Sequence, residues 1–186
     1  MSNVAIVYHS GYGHTQAIAE AVAAGAQAVR GVKASLIPVG EAEAREGELD
    51  GADAIIFGSP TYMGSVSWQF KKFADASSKA WFAQEWKDKV AAGFTNSAGM
   101  NGDKQGTLTT LWTLAMQHGM IWVSQGLMPS NTKAAKRNDV NYLVSYSGAI
   151  AQSPSDTGAA DMSPGDLETA RLFGERVAAI ASRLKG

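Results

Sequence analysis

The chain has 186 residues and a formal net charge of −1, which favours one domain over residues 1–186 and excludes a basic nucleic-acid footprint or a polybasic membrane-binding run. No apolar run approaches the roughly 18–20 residues that span a bilayer, and the start of the chain lacks a signal-peptide core, so a cytoplasmic protein without membrane insertion is expected. There is no cysteine, which excludes disulfides, thiolate nucleophiles and Cys-held iron–sulfur clusters, and His9, His14 and His118 lack metal-ligand spacing, so no metal is expected.

Val4–Tyr8 is a short apolar run that predicts a strand buried on both faces. Thr15–Val29 predicts a helix, with Ile18, Ala19, Val22, Ala26 and Val29 at spacings of three and four, and Gly31 ends it. Lys33–Val39 predicts a second strand, and Glu41–Asp50 an acidic, solvated connection. Ala52–Gly58 is a third buried strand, followed by a helix over Val66–Lys79 and a fourth strand over Lys89–Asn96. Gln105–Gly119 predicts a helix with Leu108, Leu111, Trp112 and Ala115 on one face, and Met120–Ser124 a fifth strand. Gln125–Met162 reads as one long polar loop, of a length that is usually functional or orders a partner surface. Ser163 as N-cap, Pro164 at N1 and Asp166 near N3 open a last helix that runs to about Leu184. Five alternations of apolar strand and helix argue for an α/β fold, a parallel sheet with helices on both faces. Ligands of such sheets bind outside the carboxyl ends of the strands.

Three strand-end loops carry the chemistry. His9–His14 turns abruptly from strand to helix through glycines and hydroxyls. It lacks the Lys-Ser/Thr of a P-loop and the third glycine of a dinucleotide fingerprint. It suits one terminal phosphate held by neutral donors and a helix dipole, or else a tight turn without a ligand. "GSPTYMGS" places an aromatic and a flexible apolar residue between glycines, suited to covering a flat ring, or to forming an ordinary turn. "TNSAGMNGDK" is rich in donors that suit the carbonyls of a planar heterocycle. Together the three describe a mononucleotide site with a ring cofactor.

The segments "YHSGYGHTQAIAEAVAAGA", "GSPTYMGSVSWQFKKFAD", "FTNSAGMNGDKQGT" and "LWTLAMQHGM", with the final "SPGDLETARLFGERVA", resemble flavodoxin-like flavoproteins, and more narrowly WrbA-type NAD(P)H:quinone oxidoreductases. The resemblance covers nearly the whole chain. It implies a three-layer α/β/α sandwich on a five-stranded parallel sheet of order 2-1-3-4-5. It also implies non-covalent FMN, NAD(P)H as electron donor, a quinone-like small-molecule acceptor, and a homo-oligomer, usually a tetramer built as a dimer of dimers. By that resemblance Ser10, Gly11, Tyr12, Gly13, His14 and Thr15 form the FMN phosphate loop. Pro60, Thr61, Tyr62, Met63 and Gly64 form the first ring loop, and Thr95, Asn96, Ser97, Ala98, Gly99 and Gly102 the second. His118 reaches the flavin pocket, and Trp81 packs over the flavin of a neighbouring subunit. The chain departs from the family in carrying Tyr62-Met63 where Arg-Phe is common, and in a second ring loop one residue longer.

His118 has two readings: a helix C-terminal cation, or a functional group near the pocket, acting as a donor that stabilises reduced quinone or flavin oxygen or as a proton relay. His14 reads as a structural contact to loop backbone. Trp68 and Trp112 read as core, whereas Trp81, Phe82 and Trp86 read as an interface beyond the helix. Tyr142, Tyr146 and Gly148 either close over the flavin or pack across a subunit boundary. The expected activity is two-electron transfer from NAD(P)H to a quinone through FMN, with His118 as catalytic residue. The alternatives are a flavodoxin-type electron carrier, against which near-neutral charge counts, and an FMN-binding scaffold.

Overall fold

The computed structural model of the protein describes residues 1–186. In chain order the elements are β1 (Ser2–Tyr8), α1 (His14–Gln27), β2 (Val32–Pro38), α2 (Glu46–Asp50), β3 (Ala54–Tyr62), β4 (Ser65–Val66), α3 (Trp68–Ala76), α4 (Ser78–Ala83), β5 (Val90–Ser97), α5 (Lys104–Gln117), β6 (Ile121–Trp122), β7 (Ala149–Gln152) and α6 (Pro164–Lys185). The main sheet is parallel, in the order β2-β1-β3-β5-β6, with β7 also paired to β5. This is the flavodoxin-like 2-1-3-4-5 order, its last position shared by β6 and β7.

Period-two alternation sorts the apolar strands between two cores. Val4, Ile6, Ile56, Ala92 and Phe94 face α1 and α6. Ala5, Val7, Ile55, Phe57 and Ala91 face α3, α4 and α5, where Phe70, Phe73, Trp86 and Leu111 close the layer. On the first face the helices cross very closely: a Cβ on Gly174 would lie 2.0 Å from the Val22 carbonyl.

Several expectations are corrected. The acidic connection contains α2, whose Leu49 is buried. The helix expected over Val66–Lys79 is two helices, broken at Ser77, whose hydroxyl donates to the Ala74 carbonyl at 2.7 Å. Trp81 therefore lies within α4 rather than beyond a helix. The fifth strand is split: β6 pairs with Val90 and Ala91, the Val123 amide makes a last bond to the Ala91 carbonyl, residues 124–148 leave the sheet, and β7 resumes beside Phe94–Ser97. The Trp122 indole bridges the gap by donating to the Ser147 carbonyl at 2.8 Å. The long polar loop thus contains a strand, and a 3-10 turn at Ala159–Asp161. Pro164 does open α6, but Ser163 makes no cap bond; its hydroxyl binds Asn138 and Arg137 instead.

Three tryptophans are reassigned. Trp68 is 71% exposed and Trp112 44%, because Phe70 and Phe73 on α3, and Leu108, Leu111 and Ala115 on α5, take the inward faces. Trp86 is core, packed on Phe57, Phe73 and His118. No helix is long and apolar enough to cross a membrane.

Candidate functional site

The parallel register brings the ends of β1, β3 and β5 side by side, with Tyr8 beside Gly58, Ser59 beside Thr95 and Pro60 beside Asn96. The candidate loops extend from these ends and are laced by buried polar side chains. Thr61 Oγ1 lies 2.8 Å from both Thr95 Oγ1 and Thr107 Oγ1. The Thr15 hydroxyl donates to Asn96 Oδ1 at 2.7 Å, and Asn96 Nδ2 to Ser153 Oγ at 2.8 Å. Thr15, Thr61, Thr95 and Asn96 are all buried, so their side chains set the loops' positions, and the exposed backbone does the presenting.

In the first loop, Ser10 Oγ accepts from the amides of Gly13 and Gln16, at 3.1 and 3.2 Å. The His14 and Thr15 amides, in the first turn of α1, have no intrahelical acceptor and suit an anion. His14 Nε2 binds the Thr157 carbonyl at 2.9 Å, which ties the 154–161 segment to this turn and matches its structural reading. Gly11 and the 81%-exposed Tyr12 form the rim. A Cβ on Gly11 would stand 2.5 Å from Tyr62 Oη, so the first two loops meet there. His9 Nδ1 is buried beside them without a partner.

The second loop is tighter than expected. β3 continues through Pro60, Thr61 and Tyr62 and pairs antiparallel with β4. Only Met63 and Gly64 connect them, with φ of 49° and 81°, a type I′ geometry. Ser59 Oγ accepts from the Ser67 amide at 3.0 Å, and Ser67 caps α3 through Phe70 N, so one serine pair fixes the hairpin base. Met63 is fully exposed. Burial, reinforced by Tyr12, raises the Tyr62 pKa above its ordinary value and keeps the phenol neutral.

In the third loop, Thr95, Asn96 and Ser97 belong to β5, while Ala98, Gly99 and Gly102 are exposed. Lys104, only 2% exposed, collects this loop from below: its Nζ donates to the carbonyls of Gly99, Met100 and Asn101 at 2.6, 3.0 and 3.2 Å. Burial pulls its pKa down to about 8, opposed by Asp166 and assisted by Arg137. Lys104 had a visible signal: a lysine at the first position of a helix opposes the dipole and calls for a compensating partner. Thr107, Ser153 and Thr157 carried no such signal, because their partners are distant in sequence.

Three expected site residues lie elsewhere. His118 follows α5 at the end opposite the loops, about 20 Å along a 14-residue helix. It is 3% exposed, stacked 4.2 Å from Trp86 and bonded at 2.9 Å to Ser77 Oγ. Burial lowers its pKa to about 4, so it is neither a helix-end cation nor a donor at its own chain's flavin loops. Trp81, 45% exposed on α4, lines neither the cavity beside His9, which Ser78, Lys79 and Ala80 of the same helix do line, nor the one beside Lys104. Tyr146 lines a cavity of about 450 Å³ on the outer side of the third loop, with Met100, Lys104 and Tyr142.

Free helix amides, an orphaned His9 Nδ1, a Gly11 on which the Tyr62 hydroxyl closes and an absence of acidic residues from 9–15, 59–65 and 95–102 fit one phosphate and a flat, neutral ring. No three His, Cys, Asp or Glu side chains gather as a metal-ligand cluster.

Known proteins point the same way. The sequence profile of the family described as NADPH-dependent FMN reductase matches residues 40–134. Flavodoxin FldP of Pseudomonas aeruginosa is 54% identical over 188 residues, covering 99% of each chain. The crystal structure of a flavodoxin, WrbA-like protein from Agrobacterium tumefaciens is 51% identical, with a TM-score of 0.77 over 98% of this chain and 99% of that one. A flavodoxin from the domain Archaea, at 21% identity and a TM-score of 0.67 over 97% of this chain and 99% of that one, shares the fold. The chain belongs to the NADPH-dependent FMN reductase family and is a flavodoxin-like, WrbA-type flavoprotein with an FMN-binding redox function.

Proposed function

We propose that the protein is an oxidoreductase that takes two electrons from NAD(P)H and passes them to a quinone-like acceptor through FMN. The observation that carries this reading is the mouth of the site. Residues 9–15, 59–65 and 95–102, which form the three loops up to Gly102, contain no acidic residue, and Tyr62 and the fully exposed Met63 give the mouth an apolar rim suited to flat, weakly charged partners. FMN, when bound, supplies hydride acceptance and two-electron delivery. In this reading Ser10 and the first amides of α1 hold the phosphate. Tyr62–Gly64 and Ala98–Gly102 flank the ring, and the buried Thr15, Thr61, Thr95 and Asn96 hold these segments in register. Main-chain amides of the third loop stabilise charge developing on the ring, without an acid–base pair. A homo-oligomer in the cytoplasm belongs to the same reading, supported by exposed Trp68, Trp81, Phe82 and Trp112.

The test is anaerobic. FMN-loaded protein is mixed with NADH or NADPH, followed at the flavin absorption band, and then given benzoquinone. Bleaching by either nucleotide, reversed by the quinone, is the expected result and decides the donor. Bound FMN that neither nucleotide bleaches overturns this reading. The second reading then stands: an electron carrier between proteins, favoured by the 54%-identical relative named as a flavodoxin.

A further inference from the structure

We propose that Lys104 positions the flavin ring loop and that its buried charge sets the reduction potential of the bound flavin. The inference rests on flavin binding and is independent of which donor and acceptor the protein uses.

The geometry is one ammonium against three consecutive carbonyls, those of Gly99, Met100 and Asn101. A lysine ammonium has three donors, so the match leaves none unused. In a trans peptide the N–H points opposite to the preceding C=O. Drawing these three oxygens onto Nζ therefore turns the amides of Met100, Asn101 and Gly102 away from it. One side chain thus determines the direction in which a run of main-chain donors faces.

The charge is not cancelled locally. Lys104 forms no ion pair. The Asp166 carboxylate, whose field it feels, is engaged by both guanidinium nitrogens of Arg137 at 2.7 Å and by the Gln152 amide at 2.8 Å. The cavity that Lys104 lines is shared with Gln105, Tyr142 and Tyr146 and has no carboxylate in its wall. A cation at the start of α5 also opposes the helix dipole, so the fold bears a cost to keep it there. Reducing a flavin by two electrons with uptake of one proton leaves a negative charge on the ring. A cation buried under the ring loop favours that charge and raises the potential. Deprotonated, the amine keeps two donors and turns a lone pair towards the third carbonyl, so alkaline pH both removes the charge and loosens the loop.

The experiment compares FMN-reconstituted wild type, Lys104→Met and Lys104→Arg by spectroelectrochemical titration from pH 6 to pH 10. Hydrogen exchange over residues 98–103 is measured on the apoproteins. Lys104→Met is expected to exchange faster in that loop and to bind FMN about tenfold more weakly or worse. When saturated with FMN at pH 7, it should have a more negative potential than wild type. The wild-type potential should show an added break against pH near 8, absent from both variants, while Lys104→Arg stays close to wild type at pH 7. An unchanged potential in FMN-saturated Lys104→Met overturns the proposal, even if affinity falls. If Lys104→Met does not fold, the wild-type curve decides: a line without a break near pH 8 overturns it. Failure of NAD(P)H to bleach the flavin leaves the proposal intact.

Discussion

His118 is held as a neutral imidazole, and its hydrogen bonds say which tautomer. The Ser77 hydroxyl gives its one proton to the Ala74 carbonyl, so it accepts from His118 Nε2–H, leaving the buried Nδ1 as an unpaired lone pair. With its pKa lowered from 6.5 to about 4, the folded protein refuses a proton that the unfolded chain binds. Stability should therefore fall as pH drops from 6.5 towards 4, by on the order of 3 kcal/mol over the full window. His118→Phe keeps the stack on Trp86 and lacks the titrating group. Its urea midpoint should fall less than that of wild type between pH 7 and pH 4.5, and equal falls would contradict the assignment. Met63 is the other telling residue, an exposed apolar side chain in a left-handed turn position that favours Asn. Met63→Asn should raise stability by roughly 0.5–1 kcal/mol, read from thermal unfolding, since the residue at a solvent-facing turn is kept against local preference.

At the scale of elements, the insertion between β6 and β7 is docked by a few polar bonds rather than by a core of its own. Arg137 holds the 3%-exposed Asp166 of α6, and Asn141 bonds to Thr169, Leu127 and Ser145. Arg137→Met leaves a buried carboxylate without its partner and should destabilise by about 3–5 kcal/mol. Hydrogen exchange should locate the loss first in residues 130–145, ahead of the sheet. The contact of α1 with α6 depends instead on absent side chains. Gly174→Ala would place a methyl against the Val22 carbonyl and should cost about 1–3 kcal/mol through helix separation, measured by denaturant unfolding. Both effects are invisible to periodicity. "MIWVS" reads locally as a complete strand, and only the pairing with β5 shows that it yields its place to Ala149–Gln152.

For the whole molecule, exposed aromatic side chains lie on α3, α4 and α5, with Phe82 85% exposed. Burial of these residues between copies predicts a homo-oligomer in sedimentation, shifted towards monomer by Phe82→Glu; a monomer at all concentrations contradicts that part of the reading. Sequence by itself determined the layered α/β architecture, because strands buried on both faces must be continuous apolar runs. It also located the three strand-end loops, because tight turns and close backbone approaches need glycine and small polar residues. Tertiary structure alone decided which of those residues face outward and which lace the loops together. Thr15 and Asn96, or Asn96 and Ser153, are ordinary polar residues until the parallel register sets them side by side. It also moved His118 to the far end of α5 and made Lys104 a residue of the ring loop. A side chain's chemistry is written in its identity, but its burial and partners follow from contacts between segments far apart in the chain, which no local pattern records.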